Sequence, residues 1–376
     1  MPEPELPMQA DDTPEFAEVL NAWQQRPPLT AEWVFDLPAD DTRRADKVGV
    51  LMYQAVLMKQ DHPDLDFTRI RAVTFTADVH RTGDELERRV GHDLPQFRNA
   101  AARLDVFHVN LGEAQILVVT DALANASLSP QPAVRRAAWE LLRTELARTV
   151  AVARLASWTD ATAAAERAGG ASGASGAGGA GGASGAGGAG GTGAGAESDA
   201  SARRWRSLAR YTWTEYLCGL YAGVEGLQTP MARNRLREAL EEDPVALAQA
   251  AQQFAQDADF VEFMTRAEGC LKGLFEAMAE VLGQLAASGA SLSDTDPHLE
   301  TLIHTHALGT LWDDLQKQLA LLGTEPSRWQ EASWFAMLIR LGQRYLAGFG
   351  LRYERRSHAL DVAKLPHAPR SAPETP

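Results

Sequence analysis

Two adjoining stretches, Ile116-Leu-Val-Val-Thr-Asp-Ala-Leu123 and Leu128-Ser-Pro-Gln-Pro-Ala-Val-Arg-Arg-Ala-Ala-Trp-Glu-Leu-Leu-Arg-Thr-Glu-Leu-Ala-Arg-Thr-Val150, decide how this chain is read. The first is a run of apolar, mostly β-branched residues, the composition of a buried strand. The second opens on Ser129-Pro130, a capping hydroxyl followed by a proline at the first helical position, where its missing N–H does no harm. A long helix follows to about Ala168, carrying Thr144-Glu145-Leu146-Ala147-Arg148 in its middle. Upstream, Leu104 to Val109 and Gln115 to Thr120 read as strands joined by the hairpin turn Asn110-Leu-Gly-Glu113. Phe67 to Val79 has the β-branched and aromatic content of a strand, and about Asp41 to Lys59 reads as a helix. Thr82-x-x-Glu85 has the form of a capping box opening a short helix that Gly91 closes.

Downstream lies a tract of low complexity, Gly169 to Ala196, whose 28 residues are 15 Gly, 9 Ala, 3 Ser and 1 Thr. Such a sequence buries nothing and is expected to be flexible, spanning about 30 Å root-mean-square if it is a random coil. It contains Gly176-x-Gly178-x-x-Gly181, but no strand precedes this and no helix follows, so it carries no weight as a dinucleotide fingerprint. The tract is either a loop inserted in one domain or a linker between two. Beyond it everything reads as helix. Phe260, Ala267, Leu271, Leu274, Met278, Val281 and Leu285 form one apolar stripe. Asp296-Pro297 opens a helix that Gly323 ends, and Ser327 opens another with Trp334, Leu338, Leu341 and Tyr345 on one face.

Composition narrows the function classes. Across 376 residues acids outnumber bases 50 to 36, a net charge of −14, which argues against a general nucleic-acid binder. Arginine supplies 31 of the 36 bases. Two cysteines exclude a disulfide framework and a cysteine-rich zinc module. No run of 18 uncharged apolar residues offers a membrane span. Met1 to Glu18 holds six acids and no base, the reverse of a targeting peptide, so a cytoplasmic location is expected.

The strand-then-helix unit resembles that of the zincin metallopeptidases, in particular the family of HtpX and the CAAX prenyl proteases. In that family the helix carries His-Glu-x-x-His; its two histidines, four apart on one face, bind zinc while the Glu activates the metal-bound water. Here Thr144 and Arg148 stand at the histidine positions and only Glu145 remains. The family's third ligand is a Glu on a later helix, within Glu-x-x-x-Asp. Trp213-Thr-Glu215-Tyr-Leu-Cys218-Gly219 is similar to that segment, with Glu215 at the ligand position and Gly219 in place of the Asp. Thr295-Asp296-Pro297 resembles a Thr-His-Pro element of the family with its histidine lost.

What the resemblance implies is an α+β, zincin-like fold: a small sheet with a hairpin and a mostly helical body, interrupted by the disordered tract. The expected organisation is an acidic, partly disordered segment at 1–40, a metallopeptidase-like domain at 41–357 with 169–196 inserted, and a disordered tail at 358–376. Two glutamates cannot hold zinc, and an arginine beside them would repel it. Glu145 is therefore a vestigial general base, no metal or other cofactor is expected, and the implied function is that of a proteolytically inactive relative acting as a binding or regulatory module with an unidentified protein partner. Arg148 is expected to place its guanidinium where the metal would be, pairing with Glu215 and with Glu145. The competing readings are an active peptidase with a non-standard metal site, which alone would call for zinc, and an unrelated helical scaffold.

Other candidates carry less. His298, His304 and His306 cluster, with Glu300 four before His304, but His304 and His306 point to different helical faces. Glu241, Glu242, Asp243, Asp313 and Asp314 read as solvated faces or caps, and Cys218 and Cys270 as buried structural thiols.

Overall fold

The computed structural model describes residues 27–98, 105–111, 114–172, 193–223, 230–257, 259–306, 308–322, 331–348, 351–353 and 360–362. The fold is α+β and mostly helical, with a small mixed sheet of four strands. The chain divides into two compact units, residues 1–153 and 154–376.

The first unit holds the sheet, in the order β1-β2-β4-β3. β1 (Glu32–Asp36) was not foreseen: it lies inside the acidic N-terminal segment, where Trp33-Val34-Phe35 supplies strand-forming residues between two acids. β1 and β2 (Ile70–Thr76) run parallel, so the chain must cross over between them, and α1 (Arg44–Asp61) makes that crossing. β2 is also parallel to β4 (Ala114–Thr120), and β3 (Val106–Leu111) closes the far edge antiparallel to β4. The hairpin forms where expected, but β3 runs on through Asn110 and Leu111, which the sequence reading placed in the turn, and residues 112 and 113 lie outside the described residues.

Local chemistry moves two helix starts. α2 (Val79–Val90) begins a turn before the expected capping box, because Asp78 accepts from the Arg81 N–H and serves as cap. Thr82 instead points inward, donating to Thr76 Oγ1 at 2.8 Å, and Gly91 ends the helix at φ 76°. After a short α3 (Pro95–Arg98) and the hairpin, Thr120 caps α4 (Asp121–Ser127), a turn the sequence reading passed over. The long helix α5 (Pro132–Ser172) is headed by Pro132, not Pro130, and Ser129 Oγ accepts from the Gln131 N–H just before it.

Strand alternation sorts these helices into layers. Ala72, Val109, Ile116 and Val118 face one way and pack with Val79, Leu86, Leu94 and Phe97 of the α2–α3 segment. His108, Leu117 and Val119 face the other way by the two-residue period, and His108 bonds to Glu145 of α5. α1 joins α5 there: Tyr53 packs on Trp139, and buried Arg143 donates twice to Gln54 Oε1, at 3.0 and 2.8 Å. Lys47, 1% exposed in its side chain, ties α1 to the loop before it and to α4 through Asp41 at 2.7 Å and Asp121 at 2.5 Å.

The second unit is built on α6 (Gly193–Ala222), α7 (Pro230–Asp257, with Pro244 inside it) and α8 (Phe260–Ser288). Both α6 and α7 pack along α8, which buries Ala267, Leu271, Leu274, Met278, Val281 and Leu285, the stripe expected from the sequence. Short α9 (Leu292–Thr295), α10 (Pro297–Thr305), α11 (Gly309–Leu322) and α12 (Glu331–Gly348) follow. The chain then forms a small antiparallel pair, β5 (Leu351–Tyr353) and β6 (Leu360–Val362). This part of the unit is therefore not all helical, and β6 falls within the segment 358–376 expected to be a disordered tail. The helices α5 and α6 take in both ends of the Gly/Ala tract; its residues 173–192 lie outside the described residues. Among the described residues no helix is long and apolar enough to cross a membrane.

Candidate functional site

The middle of α5 is held by a stripe of Ala138, Leu142, Leu146, Ala147, Val150 and Ala151, all buried at helical spacing. That stripe fixes the rotation of the helix and sets Glu145 and Thr149, one turn apart, toward the β3 edge. Glu145 Oε2 receives His108 Nε2 at 2.6 Å, and Arg148 Nη1 donates to Glu145 Oε1. Thr149 Oγ1 lies 2.9 Å from His108 Nδ1 and 2.8 Å from the Glu145 carbonyl. The carboxylate, the imidazole and the guanidinium are only 14%, 23% and 23% exposed.

The protonation pattern follows from those bonds. Burial is the largest single influence on Glu145 and opposes its charge; against it act the positive charge of Arg148, the hydrogen bond and charge of His108, and the Arg148 hydrogen bond. Together they win and hold the carboxyl down at about 2. An ionised carboxylate accepts only, so His108 Nε2 must carry a proton. Thr149 Oγ1 lies against Nδ1, so the ring is clasped between helix and strand through both of its nitrogens.

Chemically this is a closed network. Each oxygen of Glu145 already has a partner, Arg148 or His108, and a carboxyl held near 2 is a poor acceptor for a water proton at neutral pH. Zinc does not fit these residues. It needs three protein ligands with an open position, whereas only His108 and Glu145 here are of ligand type, and a guanidinium is bonded to the carboxylate it would coordinate. Among the described residues no group of three or more His, Cys, Asp or Glu side chains converges as a metal site.

The remaining expected positions distribute as follows. Thr144 is half-buried on α5, one turn before Arg148. Glu215 is buried on α6 in the second unit. Gly219 has a packing reason for its size: a Cβ there would lie 2.0 Å from the Glu280 carbonyl oxygen, and one on Gly283 would lie 2.1 Å from that of Tyr216. α6 and α8 cross backbone to backbone at these glycines, so an Asp in place of Gly219 would not fit this crossing. Asp296 likewise has local work, capping α10 by accepting from Leu299 N–H at 3.0 Å and pairing with Arg237. His304 packs its ring under Gly309. Cys218 and Cys270 are buried and not joined in a disulfide, and burial, with Asp243 nearby, pushes the Cys270 thiol up to about 11.

Sequence reasoning missed two features. His108 stood in a strand with nothing to mark it, although its one-residue offset from Phe107 and Val109, which pack on the α2–α3 side, puts it on the α5 face. Asp243 was read as solvated, yet its Oδ2 is buried without a hydrogen-bond partner among the described residues. Burial, reinforced by the neighbouring charge of Glu242, pushes that carboxyl up to about 6. No family model matches the chain, and neither a curated protein nor a solved structure does.

Proposed function

We propose that this chain is a metallopeptidase-like protein that has lost proteolysis and acts as a binding or regulatory module. One observation carries the reading: Glu145, at the position of the catalytic Glu in the resemblance, has both oxygens occupied by Arg148 and His108. The sheet-to-helix unit supports it, since buried β4 leads into α5 with Thr144, Glu145 and Arg148 in the spacing quoted above. The same helix that would present a zinc-bound water to a substrate instead uses its Glu as a fastener to the edge strand. On this reading Glu145 has a structural role, and zinc is not part of the working protein.

The test is metal content together with hydrolysis. The full chain, purified in the presence of zinc, is analysed for metal by mass spectrometry and assayed on a quenched-fluorescence peptide library. Substoichiometric zinc and no cleavage are expected. Stoichiometric zinc, or cleavage that disappears in Glu145→Gln while the fold persists, would overturn the reading.

A further inference from the structure

In the second unit, α7, α8 and α12 bring together Asp243, Cys270 and Tyr345, and what this junction does is independent of whether the chain is a peptidase relative. Asp243 stands midway along α7 with its carboxylate against α8: a Cβ added to Gly273 would lie 3.4 Å from Oδ2. That oxygen is buried and, among the described residues, has no hydrogen-bond partner. The groups around it offer no positive charge. Glu242 is beside it on α7, and the Cys270 thiol of α8 and the Tyr345 hydroxyl of α12 are each pushed up by burial and then by the charge of Asp243. The bases nearest in sequence are turned elsewhere. Lys272 lies over the Tyr211 ring at 4.0 Å and beside Glu276 at 3.7 Å, and Arg344 pairs with Asp314 at 2.6 Å. A carboxylate held this way is costly in its ionised form and comfortable with a proton on it.

The next residue makes the same point of α7 its weakest. Pro244 has no N–H, so the Leu240 carbonyl lacks its helical donor there. The two halves of α7 are held differently. Before the proline, Leu236 and Leu240 are buried, and three arginines pin the helix: Arg233 to the Thr295 carbonyl at 3.0 Å, Arg235 to Glu280 at 2.7 Å, and Arg237 to Asp296. After it, the seat is made of Leu247, Ala250 and Ala251, a Phe254–Phe263 ring contact at 5.2 Å, and a bond from Arg266 Nη1 to Gln253 Oε1 at 3.0 Å. We propose that Asp243 and Pro244 form a proton-operated hinge: with the carboxyl protonated, residues 245–257 stay seated on α8, and loss of the proton to solvent frees them to lift from it. Asp243 is partly exposed, so the proton can leave without unfolding of the unit. The carboxyl is raised in the seated form, from 3.8 to about 6, so the seat is fully stable below 3.8 and is weakened as pH rises through about 6.

Hydrogen exchange of the full chain, read by mass spectrometry and corrected for the intrinsic pH dependence of amide exchange, tests the hinge. Between pH 5 and pH 7.5 the opening of 245–257 should rise about tenfold, while peptides from the first half of α7 and from α8 beyond Gly273 change by less than about twofold. In Asp243→Asn the protection of 245–257 should be the same at both pH values and no lower than that of the wild type at pH 5. Pro244→Ala, which restores the helical N–H, should reduce opening at pH 7.5 about threefold or more. The proposal is overturned if opening of 245–257 in the wild type does not change with pH, or if Asp243→Asn keeps the wild-type response. Loss of protection along all of α7 and α8 together also overturns it, since that is unfolding of the unit and not a hinge. Should Asp243→Asn fail to fold, Pro244→Ala decides: opening at pH 7.5 as large as in the wild type overturns the hinge.

Discussion

Substituting Glu145 by Gln tests how much the α5–β3 network holds. The carboxyl falls from an ordinary 4.5 to about 2, a difference of about 2.5 units, or about 3 kcal/mol at 1.36 kcal/mol per unit. Little of this should be lost to solvent screening, since the side chain is 14% exposed. The folded value is depressed, so the stabilisation is fully present above about 4.5 and is lost as pH falls through about 2. Gln cannot ionise, so it leaves Arg148 without its counter-charge and His108 without a carboxylate acceptor. At pH 6 the variant should therefore be less stable in the first unit by about 3 kcal/mol, and the gap should shrink between about pH 5 and pH 2. Because the chain has two units, denaturation of the whole molecule is a poor readout; urea-dependent hydrogen exchange at β3 and β4 peptides reports the first unit alone. Other carboxylates titrate in the same window, Asp41, Asp66 and Glu87 among them, all lowered by hydrogen bonds; the difference between wild type and variant removes them. A gap under about 1 kcal/mol at pH 6, or one that is the same at pH 6 and pH 2.5, would refute the reasoning.

Two further substitutions probe the helical unit. Asp243→Asn should stabilise it by up to about 3 kcal/mol at pH 8 and by almost nothing near pH 4, because the folded carboxyl is raised from 3.8 to about 6 and the wild-type stability is lost as pH rises through that value; urea melts at the two pH values check this, and an equal effect at both would count against it. Gly219→Ala should cost about 1–3 kcal/mol by forcing the α6–α8 crossing apart, despite the helix propensity of alanine, and an unchanged or raised melting temperature would show that the crossing gives way easily.

How much of this was legible depended on whether the deciding force was local. Periodicity revealed α1, the hairpin strands and the α8 stripe, because burial of one face leaves a regular trace in sequence. Gly91 was readable because a residue at φ 76° ends a helix at low cost only as glycine. β1 was hidden because three strand-forming residues between two acids give too short a pattern. The start of α2 was misplaced because Asp78 and Thr82 are both good caps, and tertiary contacts drew Thr82 inward toward Asp36 and Thr76. At the site, Glu145 and Arg148 were singled out because Thr144 to Arg148 resembles His-Glu-x-x-His, and both sit on one helix. His108 was not, because its partner stands 37 residues away and only the sheet register aims the ring. Gly219 looked like a lost carboxylate until its neighbours on α8, some sixty positions later, showed why no side chain can stand there.

The network also limits what Glu145 can do. A general base must keep one oxygen available to a water and a titration value near the working pH. A buried carboxylate bonded to Arg148 and His108 has neither, but breaking a buried ion pair by removing one partner is costly, typically about 3–5 kcal/mol. Glu145 can thus be indispensable to the first unit without taking part in any reaction. The edge strand that it fastens through His108 is then held at one end of the sheet.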